Sequence, residues 1–172
     1  RNFVGFQEDV TERTEHQREL ERYKEYMEDL LDSVDDVFYV IDADGNLQRW
    51  NAALCEVTGY ADDALSSMHA REFFPTDQQS AIEAAIAEVL ETGSTRIEAD
   101  FLTKGNERIP YEFIAVALED PDGNQVATGI GRDVSERNRY EAELERTTHM
   151  LQQAGRLAGV GGFVIDVGPD GD

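Results

Sequence analysis

One stretch occurs twice in this chain, and the recurrence limits what the chain can fold into. Gly129-Ile130-Gly131-Arg132-Asp133-Val134-Ser135-Glu136-Arg137 echoes Gly5-Phe6-Gln7-Glu8-Asp9-Val10-Thr11-Glu12-Arg13 at an offset of 124 residues. The correspondence runs on without a gap, Glu19-Leu20-Glu21-Arg22 against Glu143-Leu144-Glu145-Arg146 and Val40-Ile41-Asp42 against Val164-Ile165-Asp166. That period is too long for a solenoid unit and matches a whole small domain. The chain is therefore expected to hold the tail of one domain (residues 1–11), a complete domain (35–134) and the head of a third (155–172), with linker helices at 12–34 and 135–154.

Charge narrows the function classes. Asp plus Glu number 37 against 15 Lys plus Arg, and only Lys24 and Lys104 are lysines. A net charge of -22 repels phosphates and anionic headgroups, which argues against nucleic-acid partners and against direct membrane contact by this segment. Acid spread along the whole chain with almost no lysine points to a salt-accumulating microbe, where a Debye length of about 3 Å at 1 M salt screens the carboxylates. Cys55 is the only cysteine, so no intrachain disulfide or cysteine metal cluster is expected, and no metal site is. With no run approaching 18 apolar residues and no signal-peptide pattern, a cytoplasmic segment is expected, whether or not its parent is membrane-attached.

Taken in order, Glu12 to Val34 lacks Gly and Pro and reads as helix, with Thr11 as its cap. Leu20, Tyr23, Met27, Leu30 and Val34 fall at alternating steps of three and four, the seam of a parallel coiled coil. The second linker keeps that register in Tyr140, Leu144, Thr147, Leu151, Ala154 and Ala158, so a homodimer is expected.

Asp36 to Asp42 and Leu47 to Trp50 form a predicted hairpin around Asp44-Gly45. Asn51 reads as the cap of a short helix over Ala52–Thr58, and Thr76 as the cap of a longer one whose Ile82, Ile86, Val89 and Leu90 share a face. From Ser94 the period becomes two, giving three strands separated by turns at Lys104-Gly105-Asn106 and Asp120 to Asn124. Two strands, several helices and three strands predict an α+β fold, a five-stranded antiparallel sheet with short helices on one face, flanked by N- and C-terminal linker helices.

This order, with Val40-Ile41-Asp42-Ala43-Asp44-Gly45, Trp50-Asn51 leading to Thr58-Gly59-Tyr60, the Phe73-Phe74-Pro75 break, Asp122-Gly123 and the closing Gly129 to Ser135, resembles the PAS sensory domain over residues 35 to 135. Asp133-Val134-Ser135 is similar to that family's Asp-Ile-Thr signature, with Ser for Thr. The resemblance implies PAS domains before and after the complete one, as in tandem-PAS sensor histidine kinases, and with the acidity it points to haloarchaeal sensor or transducer-like proteins. It implies an input module that relays a conformational signal through its flanking helices to a downstream output domain, a histidine kinase in a phosphorelay. A non-sensing spacer or dimerisation module, or the input of a transcription regulator or taxis transducer, is the alternative.

Family members hold haem, flavin, small carboxylates or nothing between helices and sheet, so a small-molecule ligand is implied but not named. No histidine lies on the long helix over Asp77 to Thr92, and His16, His69 and His149 lie in linkers or a loop, which argues against haem. Cys55 sits in Ala53-Leu54-Cys55-Glu56, unlike the Asn-Cys-Arg-Phe-Leu-Gln helix of the cysteinyl-flavin variant, and reads as a small core residue. The expected pocket lining is Phe38, Val40, Leu54, Phe74, Ile86, Phe101, Phe113 and Ile130. Asp133, Ser135 and Arg137 are expected to couple the last strand to the exit helix, Ser135 as its N-cap. No nucleophile–base pair and no phosphate loop is present, so no catalytic residue is expected in this segment and any kinase chemistry lies elsewhere.

The charge reading carries its own test. Thermal melts in KCl should move upward from about 0.1 M toward molar salt as screening weakens like-charge repulsion. A flat or falling melting temperature would remove the basis for a halophilic origin.

Overall fold

Turn chemistry and the spacing of apolar residues place the sheet between two long helices in chain order. The computed structural model describes residues 2–167, with side chains from Val10 to Leu157. Helix α1 (Asn2–Asp32) precedes strands β1 (Val37–Asp42) and β2 (Leu47–Trp50). Helices α2 (Ala52–Thr58) and α3 (Asp62–Leu65) follow, then 3-10 turns at Ala70–Phe73 and Thr76–Gln78, and α4 (Gln79–Thr92). Strands β3 (Ser94–Leu102), β4 (Arg108–Glu119) and β5 (Gln125–Asp133) complete the sheet, and α5 (Ser135–Val167) ends the chain's described part. The sheet order is β2-β1-β5-β4-β3 and every pairing is antiparallel, which is the predicted α+β architecture. Residues through Asp133 form one compact unit and those from Val134 another.

The helix limits differ from expectation. Helix α1 starts at Asn2, so Thr11 is an interior residue and not a cap. Helix α5 runs to Val167, past the expected linker end at residue 154 and through residues 164–166, which repeat Val40-Ile41-Asp42 of β1. A strand needs a neighbour to satisfy its N–H and C=O groups, whereas a helix satisfies them within the segment. Arg1 and residues 168–172, the extremes of the two expected partial domains, lie outside the described residues. Thr76 opens a 3-10 turn instead of capping α4, whose first turn is preceded by Gln78 without a side-chain cap.

The inner face of the sheet explains the two glycines of the repeated motif. Tyr39 on β1 lies opposite Gly129, and Phe113 on β4 lies opposite Gly131. A Cβ at position 129 would overlap the carbonyl oxygen of Ile114 and stand 2.6 Å from the Tyr39 hydroxyl; one at 131 would stand 2.6 Å from the Phe113 ring. Both rings thus lie across β5 where a side chain would otherwise project. They meet edge to face at 6.2 Å, and Phe113 continues into a cluster with Phe74 at 5.3 Å and Phe101 at 5.4 Å. Helix α4 covers this face with Ile82 and Val89, both buried.

Because backbone cannot yield as a flexible side chain does, Gly129→Ala should destabilise the chain by about 1–3 kcal/mol. Urea unfolding monitored by circular dichroism would measure it. A loss below about 0.5 kcal/mol would show that the strands separate freely and that the glycine serves no packing purpose.

Candidate functional site

Between the inner sheet face, α2, the first 3-10 turn and α4 lies an apolar cavity of about 70 Å³. Leu54, Phe74, Ile86, Phe101 and Phe113 line it, as the sequence suggested. Phe38, Val40 and Ile130 do not. Side chains alternate along a strand, and on β1 it is Val37, Tyr39 and Ile41 that reach the cavity. Phe38 therefore faces the other side, opposite Ile130, which in turn pairs with the partly exposed Ile114 on that outer face. Apolar residues occupy both faces of β1, so period-two reasoning had nothing to choose between. The small stripe Ala127, Gly129, Gly131 was the available signal, since large side chains from neighbouring strands must fill the space above it.

Almost no polar surface faces the cavity. The hydroxyl of Thr95 donates to the Glu88 carboxylate on α4. The Tyr39 hydroxyl lies against Gly129 on the sheet, and burial pushes its ionisation up. Tyr111, at the inner end of β4, is pushed up to about 12 by burial, with Asp133 and Asp36 adding repulsion against a phenolate. Outside the cavity, His69 closes the β1–β2 hairpin. Its Nε2 lies 2.6 Å from the carbonyl oxygen of Asp44, and its Nδ1 accepts from Arg71 N–H at 3.1 Å. Cys55 is likewise outside: its thiol donates to Asp62 at 3.3 Å, beside the Trp50 indole N–H that donates to the same oxygen at 2.7 Å. Partial burial, and then the Asp62 carboxylate, push the Cys55 thiol up to about 11, so it is a poor nucleophile at neutral pH. Among the described residues no group of three or more His, Cys, Asp or Glu could hold a metal ion, and no helix is long and apolar enough to cross a membrane.

A junction that the sequence reading missed lies beside the cavity wall. Asn51 holds the position before α2, but its side chain does not cap that helix. Its amide is 1% exposed and joins three segments instead. Oδ1 accepts from Phe38 N–H at 2.9 Å, while Nδ2 donates to Leu31 O at 3.0 Å and Asp36 O at 2.9 Å. Capping falls to Asp32 of α1, which accepts from Ala52 N–H at 2.8 Å. Asp36 also accepts from the Arg132 guanidinium at 2.9 Å, tying the segment after α1 to the end of β5. Asp133, the last residue of β5, pairs with Tyr111. Ser135 is the first residue of α5 and not its expected N-cap; Val134 holds that position, its carbonyl accepting from Asn138 N–H at 2.9 Å, and Arg137 lies in the first turn with Nε 3.8 Å from Glu141. The expected coupling residues thus fall on either side of the boundary between the two units.

A family model described as the PAS fold matches residues 31–139. The chain belongs to the PAS family. Over 126 residues it is 25% identical to the sensor histidine kinase TmoS of Ectopseudomonas mendocina, a match covering 71% of this chain and 13% of that protein. The chain therefore spans a small part of that curated relative. Among solved structures, the PAS domain of an HTR-like protein from Haloarcula marismortui superposes with a TM-score of 0.62 at 20% identity, covering 70% of this chain and 98% of that one. A PAS domain from a two-component sensor histidine kinase gives 0.59 at 14% identity, covering 66% and 97%. At these identities the likeness shows the fold.

In this PAS domain Asn51→Ala should cost about 2–3 kcal/mol, because Phe38 N–H and two carbonyl oxygens lose a buried partner at once. Asn51→Asp should fare no better, since a carboxylate would face the carbonyls of Leu31 and Asp36. Urea midpoints of the two variants decide it: stability within about 0.5 kcal/mol of the parent would mean that water replaces the amide without penalty.

Proposed function

We propose that this chain is a sensory input module in which occupancy of the apolar cavity changes the setting of the flanking helices, and that the output they drive is a histidine kinase. One observation carries the reading: cavity-lining β1 is bonded to the end of α1 through Asn51, so a displacement of the strand is passed to the helix. Arg132 links the same corner to the end of β5, from which Asp133, Ser135 and Arg137 lead into α5. Val134, whose carbonyl accepts the first bond of α5, and the acid Glu136 in its first turn define where the helix begins, which converts strand movement into helix rotation.

The seam residues support a parallel homodimer. Leu20, Tyr23, Met27 and Leu30 on α1, and Val34 two residues past its end at Asp32, are 41–68% exposed, and Tyr140, Leu144 and Leu151 are exposed on α5. A row of large apolar side chains left in water at coiled-coil spacing is stabilised by a second copy. Neighbouring PAS domains at either end, a cytoplasmic location and a haloarchaeal source complete the proposal; the internal repeat and the net charge of -22 support them.

The test uses the receptor that carries these residues. Asp133→Ala and Arg137→Ala, each first shown to melt like the parent, should shift the stimulated-to-basal ratio of kinase output. Leu30→Glu should convert the 172-residue chain to monomers in light scattering while its circular dichroism stays native. Wild-type responses from both joint variants would reduce the joint to structural punctuation. A parent chain already monomeric at tens of micromolar would remove the dimer.

A further inference from the structure

We infer that the cavity takes a small, uncharged molecule with no hydrogen-bonding groups, a short or cyclic hydrocarbon of about three to six heavy atoms or an atom such as xenon. The inference rests on the sensory reading above for its biological meaning and on the cavity wall for its chemistry.

The wall is hydrocarbon throughout. Phe101 and Phe113 form the side on the sheet, Leu54, Ile82 and Ile86 the side on the helices, and Phe74, after the first 3-10 turn, packs on both rings. Of its hydroxyl-bearing members, Thr95 donates to Glu88, and Tyr39 lies across β5 with its hydroxyl set against Gly129, so almost no polar surface faces the void. A carboxylate, alcohol or amide entering this space would give up its bonds to water and find no replacement. Water is excluded for the same reason: an apolar void offers none of the two to four partners that a buried water needs. A molecule without polar atoms meets no such penalty and gains contacts that the empty wall lacks.

Size narrows the class further. A void of about 150 Å³ with a similar lining accepts benzene or xenon, and this one measures about 70 Å³. On that scale about three carbons, or a xenon atom, fit it as it stands. Five- and six-membered rings require movement of the aliphatic side, where Leu54, Ile82 and Ile86 have alternative rotamers and the ring cluster does not. The wall thus has one adaptable side and one fixed side, and it selects by the absence of polar groups before it selects by shape.

The experiment titrates the 172-residue chain, labelled at Ile, Leu and Val methyls, with xenon, cyclopentane and, as a polar comparator of similar size, butyrate. Saturable shifts confined to the methyls that line the cavity, among them Val37, Ile41, Leu54, Ile82, Ile86 and Val89, are expected with xenon and cyclopentane, together with a raised melting temperature; butyrate should shift none of them. Ala85→Leu, which adds an isobutyl group to the wall, should weaken cyclopentane binding about tenfold. Ile86→Ala, which enlarges the void, should let benzene bind more tightly than cyclopentane, and it tests the same point if Ala85→Leu does not fold. Butyrate binding more tightly than cyclopentane, or no saturable methyl shift with either apolar probe, would overturn the inference. The two readings fail separately. Apolar probes that bind without altering kinase output sink the sensory reading and leave the ligand class intact; joint variants that alter output while no apolar probe binds do the reverse.

Discussion

The domain depends on a gap in β5. Gly129 and Gly131 present no side chain on the inner face, so Tyr39 from β1 and Phe113 from β4 can lie across the central strand. That arrangement leaves bulky rings at the floor of the core. Rings are large and stiff, and the helices above them are short, so the layer between cannot close everywhere. The cavity is what remains. Filling the glycine positions would push both rings toward α4 and remove the space in which any ligand could sit.

Asn51 makes a second demand of the same kind, in hydrogen bonds instead of volume. The chain leaves α1, turns through residues 33–36 and enters β1 beside a buried amide that supplies one acceptor and two donors to those segments. Only one orientation of the amide works, because Phe38 offers a donor and Leu31 and Asp36 offer acceptors. An asparagine is thus required where an isosteric aspartate or leucine would leave buried backbone groups unpaired. The helix end is held by the strand that lines the cavity, so the core cannot rearrange on that side without changing the helix.

What could be read from the sequence follows from how local each signal is. Turns at Asp44-Gly45 and Asp122-Gly123 and the alternation of Ile97, Ala99 and Phe101 with Glu98 and Asp100 place all five strands, because those signals act within a few residues. The face of β1 was not legible: Val37 to Ile41 is apolar throughout, and only its pairing with Gly129 and Gly131 decides that Tyr39 looks inward and Phe38 outward. Phe38, Val40 and Ile130 were assigned to the pocket for that reason. Asn51 was read as a cap because capping is the common short-range use of asparagine, while its partners stand 13 to 20 residues away. Helix limits failed in the same way, since nothing local at Thr11 or at residues 164–166 says whether a partner strand is at hand.

Energetics sets how such a module can respond. A molecule of about five heavy atoms contributes at most roughly 1.5 kcal/mol per atom, ~7.5 kcal/mol in all. Carrying a two-state equilibrium from 1:99 to 99:1 takes about 5.5 kcal/mol of difference in binding between the states. A ligand that small must therefore spend most of its binding energy in one state. The other state has to lack the cavity altogether, closed by inward movement of the aliphatic side or by the Tyr39 and Phe113 rings lifting from β5. The second route moves β1 relative to β5, and with it Phe38, Asn51 and the end of α1. Closure confined to Ile82 and Ile86 would leave that chain of bonds untouched. A cavity this small can drive the flanking helices only if its collapse is a movement of the sheet.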